Sequence, residues 1–257
     1  MLVSLCQVVA GAERLSAEVR EGFKVRFDKA IIASYGATET GPVASVNIPE
    51  VSNDSGRTIQ QGSRQGSVGL PLPGSSFRIV DPSSLQCLPH GEAGMILIGG
   101  PQLFSGYLNN PQKSADALLM LDGQRWYVSG DKGYVDQDGF LTIVDRYSRF
   151  AKIGGEMVSL GAVELAVQQV ICEAEVEVAA VNLPDGRKGE RVVLLVSGVQ
   201  ALEGFIKRLR QQLSNPLMIP AKVYAVPVIP KLGSGKSDFT AIKALAAGLI
   251  TSGPGGK

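Results

Sequence analysis

The sequence has 257 residues, 44% hydrophobic and 19% charged, which is enough apolar material for one large domain or two ordinary ones. This composition excludes an intrinsically disordered chain. A net charge of +1 argues against a main role in coating nucleic acid or an acidic membrane surface. The 31 glycines, about 12% of the chain against a usual ~7%, predict many tight turns or several loops that ligands approach closely.

Cysteine, histidine and hydropathy patterns exclude further classes. Cys6, Cys87 and Cys172 are odd in number and form no C-x-x-C pair, so we expect free thiols in a reducing compartment and no metal site of their own. The single histidine, His90, has no nucleophile pattern around it, which favours a solvated loop residue. The sequence contains no run of 18 apolar residues, so it predicts no membrane span. It also contains no recognisable signal peptide. The sequence starts in a strand-like segment, so we expect a soluble piece of a longer protein.

The opening segment predicts a βαβ unit. Residues 3–10 are expected to form a buried strand that Gly11 closes. Ser16 is the expected cap of a helix with apolar side chains at four-residue spacing, and residues 30–35 form a second short buried strand. Strand, helix and strand within ~35 residues are typical of an open α/β sheet.

From about residue 45 to 145 the pattern changes. Short alternating strands separated by Gly, Pro and Asp turns predict an antiparallel sheet or a barrel. Among them, 134–144 reads as a hairpin that turns at Asp138-Gly139. Other strands are expected at 76–80 and 94–98.

The last hundred residues predict a compact α+β domain, with elements listed in chain order: a helix around 163–171, strands at 176–181 and 191–197, a helix around 202–213 and a strand at 222–228. The change of pattern near residue 145 is the clearest domain boundary in the sequence. We therefore expect domains at 1–146 and 147–251, followed by a disordered Gly-rich tail at 252–257.

Polar loop residues follow the second predicted strand, in the segment Ser34-Tyr-Gly-Ala-Thr-Glu-Thr-Gly. Ligands of open α/β sheets bind at the carboxyl ends of strands, so Thr38 is suited to bond a phosphate. Glu39 offers the hard oxygen that Mg²⁺ prefers. A plain polar turn is the open alternative for this segment.

Two further segments carry a carboxylate and a guanidinium. Asp131 is a candidate to accept hydrogen bonds from a ribose diol, and Arg146 has donors for a hydroxyl or a phosphate. A turn residue and a surface ion pair are the respective alternatives. The Gly154-Gly155 pair permits close backbone approach by an extended ligand, or is simply a hairpin turn.

A glycine-rich segment near the end, Pro230-Lys-Leu-Gly-Ser-Gly-Lys, places Lys236 in a mobile loop as a point charge for an anion. It is not a Walker P-loop, because the spacing differs and no strand-to-helix context is predicted.

The order of these five segments resembles the adenylate-forming superfamily, which includes acyl-CoA synthetases, peptide-synthetase adenylation domains and firefly luciferase. Three other stretches are similar too: Gly66-Ser-Val-Gly-Leu-Pro-Leu-Pro-Gly, Gly91-Glu-Ala-Gly and Phe104-Ser-Gly-Tyr-Leu-Asn-Asn-Pro. The stretch 143–161 is especially similar to the synthetase half of bacterial bifunctional 2-acylglycerophosphoethanolamine acyltransferase/acyl-[acyl carrier protein] synthetases. The resemblance implies an α/β and α+β fold: the end of the large domain, with a βαβ unit and antiparallel or barrel-like strands, then a small mobile domain.

The resemblance implies a two-step, AMP-forming reaction that uses ATP and Mg²⁺. A fatty acid attacks the α-phosphate of ATP, and the phosphopantetheine thiol of acyl carrier protein then displaces AMP from the acyl-adenylate. The parent would serve lysophospholipid reacylation at the cytoplasmic face of the bacterial inner membrane, with membrane contact only through its other part. Coenzyme A as the acceptor, or a non-catalytic module that binds nucleotide or carrier, are the alternatives.

The resemblance also implies roles for particular residues. Tyr35 and Gly36 would flank adenine, Thr38 would bond phosphate and Glu39 would hold Mg²⁺. A second segment would border adenine, and it consists of Gly11, Ala12 and Glu13.

The ribose and the second domain receive the remaining implied roles. Asp131 and Arg146 would bind the ribose. Lys236 would bridge carboxylate and α-phosphate during adenylation, and Gly154 with Gly155 would border the pantetheine tunnel.

The sequence also departs from the family pattern. The Ser/Thr/Gly-rich loop that wraps the β- and γ-phosphates and the first half of the large domain do not occur in these residues, so we expect no acyl-adenylate formation by this chain alone. Ser148 occupies the pivot position, which is often Asp or Lys, and Met157 stands where many members have Arg.

Overall fold

The computed structural model describes residues 4–13, 15–53, 55–171, 176–199, 201–213 and 215–251. The chain divides into two compact units, Met1–Arg146 and Tyr147–Lys257. Cys6 and Cys87 are exposed free thiols, whereas Cys172 and the tail at 252–257, expected to be disordered, lie outside the described residues. Among the helices that the structure describes, none combines the length and apolarity needed to cross a membrane.

The first unit contains mainly β-structure. Its strands in chain order are β1 (Val8–Ala10), β2 (Ile31–Tyr35), β3 (Ser45–Val46), β4 (Val51–Ser52), β5 (Thr58–Gln60), β6 (Leu70–Pro71), β7 (Ser76–Val80), β8 (Gly94–Gly99), β9 (Leu118–Leu121), β10 (Gln124–Val135) and β11 (Leu141–Arg146). Its helices are α1 (Ala17–Phe27) and α2 (Pro111–Ala117).

The predicted βαβ unit is confirmed, since β1 and β2 pair in parallel and α1 connects them. The Ser16 hydroxyl caps α1 by accepting a hydrogen bond from Val19 N at 3.2 Å, which satisfies one of the donors left free at a helix start. The predicted extent and burial of the first strand are wrong. Only residues 8–10 form β1, and Val9 is 54% exposed.

Two sheets make up most of this unit. The first has the order β1-β2-β3-β6, and the second is antiparallel with the order β11-β10-β8-β7 and β9 beside β10. The antiparallel prediction is therefore confirmed, with an open strand order in place of a closed barrel. The hairpin turn at Asp138-Gly139 also forms. In it, Gly139 adopts a φ of +90°, and Gly139 N donates a hydrogen bond to Asp136 O at 3.1 Å.

The core of the first unit surrounds β8, which is buried on both faces. Ile96 and Ile98 pack with Leu141 on one side, while Leu97 packs with Trp126 on the other. A short, fully buried apolar strand is the expected centre of such a sheet. β8 therefore holds β10, the strand that carries Asp131, in the middle of the unit.

The second unit is a sheet with helices on both faces. Its strands are β12 (Phe150–Ile153), β13 (Glu156–Ser159), β14 (Glu177–Asp185), β15 (Gly189–Ser197) and β16 (Lys222–Ala225). Its helices are α3 (Leu160–Val170), α4 (Leu202–Gln212) and α5 (Phe239–Thr251), with a 3₁₀ turn at Tyr147–Arg149. The sheet order is β13-β12-β15-β14, and β16 pairs in parallel with β15.

Alternation along β15 divides the core of this unit into two layers. Leu194 joins the cluster under α3 and α4, in which Val163, Phe205 and Leu209 are buried. Leu195 joins the opposite cluster under α5. Successive side chains of a strand point to opposite faces, so one apolar run supplies both layers.

Three details of this unit correct the sequence predictions. The strand expected at 176–181 extends to Asp185, and β16 stops at Ala225, two residues before Pro227, which has no N–H for a ladder. The prediction that no helix follows the Lys236 loop is wrong. α5 follows it directly, and the Asp238 carboxylate caps it by accepting from Ala241 N at 3.0 Å.

Candidate functional site

The loop after β2 is built around one buried hydroxyl. Thr40 Oγ1 accepts a hydrogen bond from Ala37 N at 2.9 Å and donates to Ala37 O at 3.0 Å, which closes the 3₁₀ turn Thr38–Thr40. Thr40 is fully buried, while Thr38 is exposed and Glu39 is half-buried. The turn therefore leaves the two predicted site residues accessible at the carboxyl end of a strand.

No side chain fits at Gly36. A Cβ there would lie 2.1 Å from Pro42 O and 2.9 Å from Ala44 N. The close approach lets Ala44 N donate to Tyr35 O at 2.8 Å, so the chain folds back tightly against the end of β2. This packing explains why position 36 requires glycine, and it fixes the backbone that carries Tyr35.

Tyr35, Asp131 and Arg146 form one cluster, although they lie far apart in the sequence. The Tyr35 hydroxyl donates to Asp131 Oδ2 at 2.7 Å, and Arg146 Nε lies 3.2 Å from Asp131 Oδ1. Asp131 and Arg146 are direct partners across β10 and β11. Ser129 Oγ supports the aspartate by accepting from Asp131 N at 3.0 Å and donating to Ile96 O at 2.8 Å.

Burial dominates the electrostatics of this cluster. Asp131 is 8% exposed, and its burial raises the pKa of the carboxyl even though the Tyr35 hydroxyl and Arg146 favour the charged form. Burial, and then the charge of Asp131, raises the pKa of the Tyr35 phenol. The phenol therefore stays protonated as a donor. The Arg146 side chain is 69% exposed, so this ion pair is screened by water.

The Glu39 carboxylate is held by a segment whose role the sequence left unassigned. The Tyr107 hydroxyl donates to Glu39 Oε1, and Phe104 N donates to Glu39 O at 3.0 Å. The hydrogen bond to Glu39 is the main reason why the pKa of Tyr107 is raised to about 12. Tyr107 and Ser129 are thus site residues that residue-by-residue reasoning missed. Their only sequence signals were the family-like stretches around Phe104 and before Asp131.

Tyr127 connects the two clusters electrostatically. Burial, followed by the charge of Glu39, raises its pKa to about 12, and the charge of Asp131 contributes in the same direction. Both carboxylates therefore act on one phenol, so the predicted metal residue and the predicted ribose residue belong to the same region of the first unit.

The segment after β1 lies beside this region. β1 and β2 run parallel, and a Cβ on Gly11 would lie 2.6 Å from Ser34 Oγ, so a side chain there would require the Ser34 hydroxyl to move. Ala12 has a φ of +72°, a conformation that costs free energy in a non-glycine residue and is enriched at functional sites. Gly11, Ala12 and Glu13 are all exposed.

The Gly154-Gly155 pair is a two-residue turn between β12 and β13. The φ values of +60° and +95° match the turn type that favours glycine at both positions, so the simple hairpin interpretation is confirmed. A Cβ at either glycine would meet nothing within 4 Å. Gly155 lines an open surface depression with Lys152, Lys188, Gly189 and Glu190. Contact with pantetheine stays a prediction.

Lys236 closes a second turn in the same unit. Its carbonyl accepts from Leu232 N at 2.7 Å, and Gly235 adopts a φ of +86°. The neighbouring Lys231 pairs with Glu177 at 2.6 Å. Hydrogen bonds therefore shape the loop that carries Lys236 immediately before α5.

The donor set around Glu39 fits a magnesium ion bound together with a nucleotide. In the described part of the chain, no three His, Cys, Asp or Glu side chains gather into a metal cluster. Mg²⁺ does not need such a cage, because it is usually held by one or two carboxylates, substrate phosphates and retained waters. A half-buried carboxylate next to an exposed threonine hydroxyl meets that requirement.

Comparisons with known proteins show which proteins this chain is similar to. Residues 1–108 match the family model described as AMP-binding enzyme. A 4-coumarate–CoA ligase of Pinus taeda is 31% identical over 233 residues, covering 89% of this chain and 41% of that protein. A long-chain-fatty-acid–CoA ligase of Salmonella typhimurium is 34% identical over 209 residues, covering 80% and 34%. ATP-bound MatB from Rhodopseudomonas palustris matches with a TM-score of 0.77 and 25% identity, covering 93% and 45%.

The fold is that of the adenylate-forming ligases, with mixed α/β structure. More particularly, residues 1–108 match the AMP-binding enzyme family, and the chain as a whole is similar to CoA ligases. It spans about two fifths of the length of the curated relatives that it matches.

Proposed function

We propose that this chain is part of an ATP-dependent fatty acyl ligase, which forms an acyl-adenylate and then a thioester. Residues 1–146 are the C-terminal portion of the large AMP-binding domain, and 147–251 are the small mobile domain. The observation that carries the proposal is the Tyr35–Asp131–Arg146 cluster beside the Glu39 turn. A surface ion pair alone would not require a buried aspartate with two separate side-chain partners.

In this proposal the cluster recognises the nucleoside. Asp131 accepts hydrogen bonds from the ribose hydroxyls, because each carboxylate oxygen keeps lone pairs beyond those that Tyr35 and Arg146 use. The Tyr35 ring flanks adenine, with its hydroxyl already committed to Asp131. The segment from Gly11 to Glu13 borders the base at the adjacent strand end. These contacts orient the α-phosphate for attack by the fatty acid carboxylate.

Three side chains stabilise charge in this proposal. Thr38 bonds a phosphate oxygen, and Glu39 holds the Mg²⁺ that, when bound, neutralises phosphate charge. Lys236 supplies a positive charge to the oxygen atoms that become more negative in the transition state. We expect this chain alone to be inactive in ATP–pyrophosphate exchange, because the triphosphate loop does not occur in these residues. Robust exchange by the chain would contradict that statement.

Acyl carrier protein is the proposed acceptor, and the family-like stretch 143–161 supports it. The cationic depression with Lys152 and Lys188 suits an acidic carrier. Coenzyme A is the second candidate, because the named relatives are CoA ligases and its phosphates suit the same charges. Lysophospholipid reacylation at the cytoplasmic face of the bacterial inner membrane is the cellular role proposed for a carrier-dependent parent. A longer ligase containing this chain, offered both thiols, would show which one accepts the acyl group.

Nucleotide binding by the chain itself tests the core of the proposal. We expect AMP to bind and Asp131→Asn to weaken binding by roughly tenfold or more, since each hydrogen bond to a charged group is worth about 1.5–3 kcal/mol. Asp116→Asn on exposed α2 is the matched control and should bind AMP normally. Isothermal titration measures both. Absence of AMP binding, or equal binding by Asp131→Asn, would refute the assignment.

A further inference from the structure

The segment Phe104–Tyr107 contacts Glu39 twice, once through the backbone and once through a side chain. Phe104 N donates to the Glu39 carbonyl at 3.0 Å, and the Tyr107 hydroxyl donates to Glu39 Oε1. The first contact fixes the backbone of the turn, whereas the second acts on the carboxylate itself. Tyr107 is 68 residues from Glu39 in the sequence, so this contact is a product of the fold.

Tyr107 is held by one contact to its backbone and two contacts to its ring. Ser114 Oγ accepts from Tyr107 N at 2.8 Å. The Phe104 ring meets it edge-on at 4.9 Å, and Lys113 Nζ lies 4.1 Å from its centre. A ring with these contacts has little freedom to turn, so its hydroxyl defines one direction for the Glu39 carboxylate. Glu39 Oε2 receives no hydrogen bond from the part of the chain that the structure describes.

We propose that Tyr107 is a positioning residue for Glu39. Its hydroxyl occupies Oε1, so the carboxylate presents Oε2 to a single Mg²⁺ that arrives with the nucleotide phosphates. Partners that orient a metal-binding carboxylate often affect metal affinity strongly without touching the ion. This inference rests on the proposed function, because it requires Glu39 to hold the metal.

The experiment measures ATP binding to the full 257-residue chain by titration calorimetry, in excess EDTA and in excess MgCl₂. The variants are Tyr107→Phe, Glu39→Gln and the double variant. Phenylalanine keeps the ring and its contacts with Phe104 and Lys113, and it removes only the hydroxyl. Tyr134→Phe, on β10, is the matched control.

For the unaltered chain and for Tyr134→Phe, we expect Mg²⁺ to tighten ATP binding. For Tyr107→Phe, that gain should fall by up to about tenfold, while affinity in EDTA stays within roughly twofold. Adding Tyr107→Phe to Glu39→Gln should cause no further loss, because the tyrosine acts through the carboxylate.

Each other outcome has a distinct meaning. An undiminished Mg²⁺ gain in Tyr107→Phe overturns the positioning role and leaves the proposed function intact. Weakened ATP binding in EDTA means that Tyr107 only supports the fold, and this also overturns the inference. Failure of the unaltered chain to bind ATP under either condition overturns both proposals.

Discussion

Removing the Tyr35 hydroxyl should destabilise the first unit by an amount that depends on pH. Tyr35→Phe deletes the 2.7 Å hydrogen bond to Asp131. Because Asp131 is only 8% exposed, water cannot fully replace the lost donor. When Asp131 is ionised, the lost bond is to a charged acceptor and costs about 1.5–3 kcal/mol. When Asp131 is protonated, the bond is neutral and its loss costs about 0.5–1.5 kcal/mol.

The sign follows from the direction of the Asp131 shift. Its pKa in the folded state is raised above the ordinary 3.8, so folding stability is lost as pH rises through the window between 3.8 and the raised value. The Tyr35 hydrogen bond opposes this shift, so Tyr35→Phe raises the Asp131 pKa further. The destabilisation should therefore be about 1 kcal/mol larger at about pH 8 than at about pH 4.

Urea unfolding followed by tryptophan fluorescence isolates the unit concerned. Trp126 is the sole tryptophan, lies on β10 with Asp131 and is 4% exposed, so its emission reports on the first unit. Tyr134→Phe on the same strand should show no such pH dependence. An equal cost for Tyr35→Phe at both pH values would refute the reasoning, since it would mean that Asp131 carries the same charge at both.

Two further predictions concern Gly36 and Lys236. Gly36→Ala should destabilise the first unit by about 3 kcal/mol in the same urea assay, because its Cβ would meet Pro42 O at 2.1 Å. Gly22→Ala in α1 has open space and should stabilise it by about 1 kcal/mol, and a harmless Gly36→Ala would contradict the packing. In a longer ligase containing this chain, Lys236→Ala should slow acyl-adenylate formation by about 10²–10³-fold but spare thioester formation from preformed acyl-adenylate. Lys231→Ala is its control, and equal loss in both half-reactions would argue against the role.

Local signals in the sequence predicted the elements that depend on local chemistry. Ser16 marked the start of α1, and Asp138-Gly139 marked a hairpin, because caps and turns depend on a few neighbouring residues. The length of β1 was not predictable in this way. Its ladder to β2 has three register pairs, and only the pairing partner determines where that ladder ends. Asp238 was a usable cap signal for α5, but it was obscured by the preceding glycine-rich loop.

The candidate site depended on contacts that no local pattern encodes. Tyr35 and Asp131 are 96 residues apart, and each alone was compatible with an ordinary turn or strand residue. The order of the loop segments indicated the family, and hence which residues to compare. It did not reveal that Tyr35 donates to Asp131 or that Tyr107 donates to Glu39, because these contacts require the packed sheets.

The buried aspartate explains why stability and binding should respond oppositely to one substitution. Burial outweighs the favourable contacts of Asp131, so its ionised form carries a net free-energy cost in the folded chain. A neutral asparagine can still accept from Tyr35 and avoids that cost, so Asp131→Asn should unfold at a higher urea concentration at about pH 8. The same variant should bind AMP more weakly, because it presents fewer acceptors to the ribose hydroxyls. A residue retained only for packing would not oppose stability to binding in this way, whereas such opposition is common at functional sites.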